Sequence, residues 1–227
     1  MSDRISNSIF DIIGPIMVGP SSSHTAGAVR LGQIGRAALG RAPETALIEF
    51  HGSFARTGRG HGTDKAIVAG LLGMAPDDDH IRDSFLVAES EGLKFTFRNV
   101  DLGDDVHPNT VRLTLTGGGH DVHLTGSSIG GGMVDIIEIE GYQVHFSGKY
   151  DTLLVIADDQ PGTIHQVTHW LSEKSINVAF FRVERDRRGG EAIMVIETDQ
   201  DIPENIASDL EALPWVRWVR DINRLRE

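Results

Sequence analysis

The sequence predicts an α+β protein in two parts, residues 1–147 and 148–227. Three observations predict it. Beyond about residue 150 the apolar pattern runs strand, helix, strand, strand, helix, strand. Before it, helical and strand periodicities are interleaved with glycine- and histidine-rich stretches. No apolar run reaches the roughly 18 residues needed to cross a bilayer, so these elements must pack as layers around their own cores.

The first part begins with "NSIFDIIG", a short helix that Gly14-Pro15 would stop. Residues 24–39 form a second helix, with Val29, Ile34, Ala37 and Ala38 near helical spacing and Gly40 at its end. "TALIEFHG" (45–52) reads as a strand. "TDKAIVAGLLG" (63–73) reads as a helix with Thr63 or Asp64 near its N-cap and Gly73 closing it. "LKFTFRN" (93–99), "NTVRLTLTG" (109–117) and "DVHLTGSSI" (121–129) alternate as strands do, and Gly130-Gly131-Gly132 breaks the pattern. In the second part "DTLLVIAD" is a strand, followed by a helix with Pro161 at its first position and Ile164, Val167 and Leu171 on one face. "INVAFFRVERD" and "EAIMVIETD" are strands joined by a turn at Arg187-Arg188-Gly189-Gly190. "PENIASDLEALP" is a helix and "VRWVRDI" a last strand. The order βαββαβ suits a ferredoxin-like unit, one antiparallel four-stranded sheet with two helices on one face.

The formal net charge of -12 argues against nucleic acid or an anionic membrane as partner. It leaves room for a small anion, which feels local donors more than total charge. "MSDRISNSIFDIIG" lacks the apolar core of a signal peptide, so a cytoplasmic protein is expected. There is no cysteine, hence no disulfide and no thiolate-held metal or iron–sulfur cluster owned by this chain alone. A histidine metal site is not expected either. His120 and His123 lie three apart on a strand and point to opposite faces, and no HExxH occurs. Nor is there a GxSxG elbow.

Four stretches of the first part concentrate polar groups between regular elements: "GPSSSHT" (19–25), "GSFARTGRGHGTDKA" (52–66), "HPNTVR" (107–112) and "SSIGGGM" (127–133). Hydroxyls at a helix N-terminus can cap the helix or hold an anion against free N–H groups, and His24 there stands ready to move a proton. A plain capping cluster with a surface histidine would look the same. The 52–66 stretch reads as a glycine-rich loop ending in a second cluster of helix-terminal donors, Thr63 and Asp64. It lacks the spacing of a nucleotide phosphate loop. In 107–112, Pro108 stiffens the entry to a strand, and His107, Asn109 and Arg112 offer a titrating group and donors.

Together and in this order, "GPSSSHTAGAVRLGQIGR", "GSFARTGRGHGTDKA", "HPNTVRL" and "SSIGGG", followed by the βαββαβ unit, resemble the beta subunit of the bacterial iron–sulfur-dependent L-serine dehydratases. The second part resembles an ACT domain through "DDQPGTI" after its first strand. The first part also resembles a domain of some phosphoglycerate dehydrogenases. The resemblance implies a lyase that converts L-serine to pyruvate and ammonia without pyridoxal phosphate, in serine catabolism feeding gluconeogenesis. It implies a [4Fe-4S] cluster ligated by cysteines of a partner alpha subunit, consistent with a chain that has none. It makes His24 the candidate base and His107 a second catalytic candidate. Ser22, Ser23, Thr25, Asn109, Arg112, Thr63 and Asp64 become substrate-binding candidates, with His61 and Lys65 behind them. It puts an effector, L-serine among the candidates, near Asp159 and Gly162, and suggests dimerisation through the ACT domain. A non-catalytic amino-acid sensor and an interaction scaffold are the alternatives.

Overall fold

In the computed structural model the described residues are Met17, 21–203 and 205–225. The expected helix over "NSIFDIIG" and the Gly19-Pro20 pair lie outside them. The chain then forms α1 (Ala26–Leu39), β1 (Thr45–Phe50), α2 (Gly52–His61), α3 (Thr63–Leu71), a 3-10 turn (Asp79–Asp83), α4 (Ser84–Glu91), β2 (Lys94–Asn99), β3 (Thr110–Gly117), β4 (His120–Gly130), β5 (Met133–Ile139) and β6 (Tyr142–Phe146). These six strands make one sheet in the order β2-β1-β3-β4-β5-β6. β1 runs parallel to β2 and antiparallel to β3. Two compact units emerge, one up to Asp135 and one from Ile136 onward. The expected boundary at 147/148 falls further along, after β6.

The first unit is built on close backbone approach. α1 buries Ala26, Ala28, Val29, Leu31, Ile34, Ala38 and Leu39. Its Gly35 leaves room for Leu113, Leu115 and Leu124 of the sheet, which would crowd a Cβ there at 3.0 to 3.4 Å. α1 and α3 touch backbone to backbone: a Cβ on Gly32 would run into the carbonyl of Ile67, and one on Gly70 into the carbonyl of Val29. The small residues of "AGAVRLGQIGRAALG" and "TDKAIVAGLLG" are therefore a packing requirement. The stretch 52–61, expected as a loop, is a helix. Phe54 and Gly58, four residues apart, form its buried side.

The second unit has β7 (Asp151–Asp158), α5 (Thr163–Glu173), β8 (Val178–Arg185), β9 (Glu191–Thr198), α6 (Asn205–Glu211) and β10 (Val216–Ile222). Its sheet order is β10-β7-β9-β8, with antiparallel neighbours throughout, which is the expected ferredoxin-like arrangement. Leu153, Val155, Ala157, Met194 and Ile196 pack with Val167, Leu171, Ile206 and Leu210 of the helices. The alternate residues Leu154, Ile156, Ile193 and Val195 are buried too, on the opposite face of the sheet. On that side β6 lies along β8 and β9. Arg182 donates to the His145 carbonyl at 2.9 Å, and the Tyr142 hydroxyl to Glu191 at 3.2 Å. Desolvation, with Glu191 beside it, pushes the Tyr142 pKa up to about 12. α5 starts at Thr163 and not at Pro161, because Gly162 takes a left-handed φ of 98° as its N-cap.

Candidate active site

The turn before α1 is held by its own backbone. The Thr25 N–H donates to the Ser21 carbonyl at 2.9 Å, and that of Gly27 to the Ser22 carbonyl at 3.0 Å. Thr25 is the N-cap, yet its hydroxyl makes no capping bond. The serines surround the imidazole. His24 Nδ1 lies 3.2 Å from Ser23 Oγ and 3.4 Å from Ser21 Oγ, while Nε2 lies 3.2 Å from Thr57 Oγ1 on α2. The Thr57 hydroxyl donates to the Ser53 carbonyl at 2.9 Å, so its oxygen is left to accept from His24 Nε2–H. The neutral tautomer that follows carries its lone pair on Nδ1, facing the serines.

Two rings complete the surroundings of His24. Phe54 meets it edge-on at 5.3 Å and His61 lies 4.9 Å away, centroid to centroid. Desolvation, and secondly the charge of His61, hold the His24 pKa below its ordinary value. His61 itself is fixed by its Nδ1, 3.0 Å from the Thr57 carbonyl.

The HPN stretch is pinned to the start of the same helix. The Pro108 carbonyl accepts from Ser53 N–H at 2.6 Å and from Phe54 N–H at 3.3 Å. The Asn109 N–H donates to His107 Nδ1 at 3.1 Å, and desolvation lowers the His107 pKa. The Asn109 carbonyl accepts from Ser128 N–H at 2.9 Å. Ser128 in turn lies against α1, where a Cβ on Gly27 would collide with its hydroxyl. The 19–25 and 107–112 stretches are thus bonded to α2, which the 52–66 stretch forms, and "SSIGGG" lies between Asn109, to which it is bonded, and Gly27, against which it packs.

Three hydroxyls within this region are buried and have no partner among the described residues: Thr25 Oγ1 (residue 3% exposed), Thr63 Oγ1 (0%) and Ser128 Oγ (0%). A buried hydroxyl without a hydrogen bond costs on the order of 1–3 kcal/mol, so each is an unusual feature of this region. The remaining candidates are already engaged. Asp64 Oδ1 accepts from the Lys65 N–H at 2.9 Å, and Lys65 Nζ donates to the Arg82 carbonyl at 2.7 Å. Arg112 faces its cross-strand neighbour Glu49 in an ion pair of 2.8 Å. In the second unit, Asp159 Oδ2 accepts from Gly189 N–H at 3.0 Å and from Arg185 at 3.4 Å, tying the β7–α5 turn to the β8–β9 turn. The sequence reading missed Phe54, Thr57 and Ser128. Ser53 and Thr57, four apart, were the only helical signal in a stretch dominated by glycine.

Residues 8–138 match the model of the serine dehydratase beta chain, and residues 152–214 match the ACT domain. The chain belongs to the serine dehydratase beta chain family. It is 45% identical to the probable L-serine dehydratase beta chain of Bacillus subtilis, over 91% of this chain and 94% of that one. It is 38% identical to the L-serine dehydratase beta chain of Peptoniphilus asaccharolyticus, over 88% and 91%. A more distant likeness is to the D-3-phosphoglycerate dehydrogenase of Methanocaldococcus jannaschii, 28% identical over 53% of this chain and 23% of that one. In this beta chain the polar stretches converge in the unit that the dehydratase model covers, and the ACT match falls in the other.

Proposed function

We propose that this chain is the beta subunit of an L-serine dehydratase and supplies the proton-transfer and carboxylate-binding half of an active site completed by an alpha subunit. The observation that carries the reading is His24, a neutral imidazole whose Nδ1 lone pair faces a hydroxyl cluster at the start of α1. The overall change is L-serine to pyruvate and ammonia. Removal of the Cα proton and loss of the Cβ hydroxyl give 2-aminoacrylate, which tautomerises to the imine and is hydrolysed. His24 Nδ1 takes the Cα proton. Its lowered pKa keeps it unprotonated at neutral pH, and Thr57 holds the ring through Nε2. Ser22, Ser23, Thr25 and Thr63 hold the carboxylate near the helix N-termini. His107 and Asn109, across α2, assist in holding the substrate.

The chain has no cysteine, and among the described residues no three histidines or carboxylates are grouped to hold a metal. These residues do not fit a [4Fe-4S] cluster. In this reading the cluster is ligated by cysteines of the alpha subunit, and no step here is routed through it. The ACT unit would dimerise and bind an effector by its β7–α5 turn.

The test is co-expression with a cysteine-bearing alpha subunit, followed by an anaerobic assay of pyruvate release from L-serine. The expected result is turnover by the pair and none by the colourless beta chain alone. His24→Gln should lower kcat by roughly two to four orders of magnitude with a smaller change in KM. A pair in which His24→Gln turns over normally would remove His24 from the base role. The ACT match supports a second reading, an amino-acid sensor without catalysis. Serine binding by the isolated chain, with no turnover in any pairing, would favour it.

A further inference from the structure

His51 is a buried imidazole that the mechanism above does not use. It follows β1 and is the N-cap of α2, in an extended conformation and with no capping bond from its side chain. Its Nδ1 instead accepts from the Leu102 N–H at 3.1 Å. A backbone N–H can only donate, so Nδ1 carries the lone pair and the ring is neutral, with its proton on Nε2.

This bond fastens a loop. Residues 100–109 connect β2 to β3 and carry His107, Pro108 and Asn109. Both ends of the connection are tied to residues 50–54. The Val100 N–H donates to the Phe50 carbonyl at 2.9 Å, and the His51 N–H to the Thr110 carbonyl at 3.0 Å. Pro108 is held by the N–H groups of Ser53 and Phe54, and a Cβ on Gly52 would run into it. Of these ties, the one to Leu102 is made by a titratable group.

A protonated His51 would carry an N–H where the acceptor was, setting donor against donor. Its neighbours Phe50, Gly52, Ser53, Phe54, Pro108 and Thr110 carry no charge. Among the described residues the carboxylate within reach is that of Asp101 on the same loop. Its Oδ1 is 3.9 Å from His51 Nδ1 and accepts from the Gly103 N–H at 3.0 Å. The two arrangements exclude each other: a neutral ring holds Leu102, and a charged ring draws on Asp101. At the far end of the loop His107 Nδ1 likewise accepts an N–H, that of Asn109.

We propose that His51 is a positioning residue whose neutral ring clamps the 100–109 loop and so sets His107 and Asn109 for the substrate, and whose protonation releases them. The link to substrate rests on the reading of His107 and Asn109 given above.

The test follows the isotope-labelled full chain by NMR from about pH 8 to about pH 5, the range in which imidazoles change charge. The Leu102 and Gly103 amide signals should move with the midpoint of the His51 ring nitrogens. His51→Asn places an oxygen at the acceptor position but does not titrate. It should abolish that movement at Leu102 and leave the His107 transition at Asn109. In His51→Leu the Leu102 N–H should exchange with solvent about two- to tenfold faster than in wild type or His51→Asn at neutral pH, the worth of one hydrogen bond. In the pair with the alpha subunit, KM for serine should rise by a similar factor, about two- to tenfold, in His51→Leu, with a smaller change in kcat and recovery in His51→Asn. If His51→Leu does not fold, the wild-type titration and His51→Asn decide. A Leu102 amide indifferent to the His51 titration, or unchanged exchange in a folded His51→Leu, would overturn the clamp. A loosened loop with unchanged KM would overturn the positioning role while leaving the beta-subunit reading intact. No turnover in any pairing would remove that reading, and the Leu102 signals would still decide the clamp.

Discussion

His24 carries two separable properties, an orientation set by Thr57 and a pKa set by its surroundings. Burial is the larger cause of the lowered pKa and His61 the smaller. His61→Gln should therefore move the His24 titration, read from its ring protons, and the acidic limb of kcat/KM to higher pH without restoring the ordinary value. Folding favours the neutral ring. That contribution to stability is complete above the unfolded-state pKa of 6.5 and is lost as pH falls through the lowered folded value. His24→Gln should accordingly flatten the loss of melting temperature on acidification. The unpartnered hydroxyls make a second prediction. Ser128→Ala and Thr63→Val each remove a buried oxygen that nothing among the described residues satisfies, so the folded chain should keep its stability or gain up to about 1 kcal/mol. KM for serine in the assembled enzyme should rise if those oxygens serve the substrate. A fall in stability with unchanged KM would make them structural.

The elements show which features a periodicity can carry. α1, α3 and β1 to β4 were legible because their apolar residues repeat at 3.6 or 2 and their ends carry glycine. α2 was not. Glycine occupies Gly52, Gly58 and Gly60, and its one large apolar residue, Phe54, gives no repeat to count. With it went the recognition that Thr57 faces His24 and that the Pro108 carbonyl is anchored at its first turn. His24 and the serines were legible as a cluster, but their partners sit on elements distant in sequence. Gly70 tests the α1–α3 crossing. Gly70→Ala would force a methyl into the Val29 carbonyl, and overpacking of this kind costs about 1–3 kcal/mol. For a chain of this length that corresponds to a melting temperature lower by roughly 2–4 °C per kcal/mol. Gly162 behaves differently. A Cβ there would meet only the Gln166 side chain, at 4.0 Å, but its φ is 98°, so Gly162→Ala is strained by its backbone and not by crowding. Loss of effector binding in that variant would not by itself place a ligand at the β7–α5 turn. Asp159→Asn, which keeps an acceptor for the Gly189 N–H, is the cleaner probe.

For the molecule as a whole, the division at Ile136 determines what can be studied in pieces. A fragment of residues 148–227 leaves out β6, which lies along β8 and β9, and so removes cover from the sheet face that carries Leu154, Ile156, Ile193 and Val195. It should bind a hydrophobic dye and self-associate. A fragment of residues 136–227 should not bind the dye and should associate no further than a dimer, as dye fluorescence and sedimentation would report. The three idle hydroxyls also bear on how this beta chain would respond to engineering. Natural chains are seldom at their stability optimum, and unsatisfied buried groups are among the cheapest gains. A campaign selecting only for heat resistance would reach Thr25, Thr63 and Ser128 early and, on the proposed reading of this site, would enrich hardy proteins that no longer held the substrate.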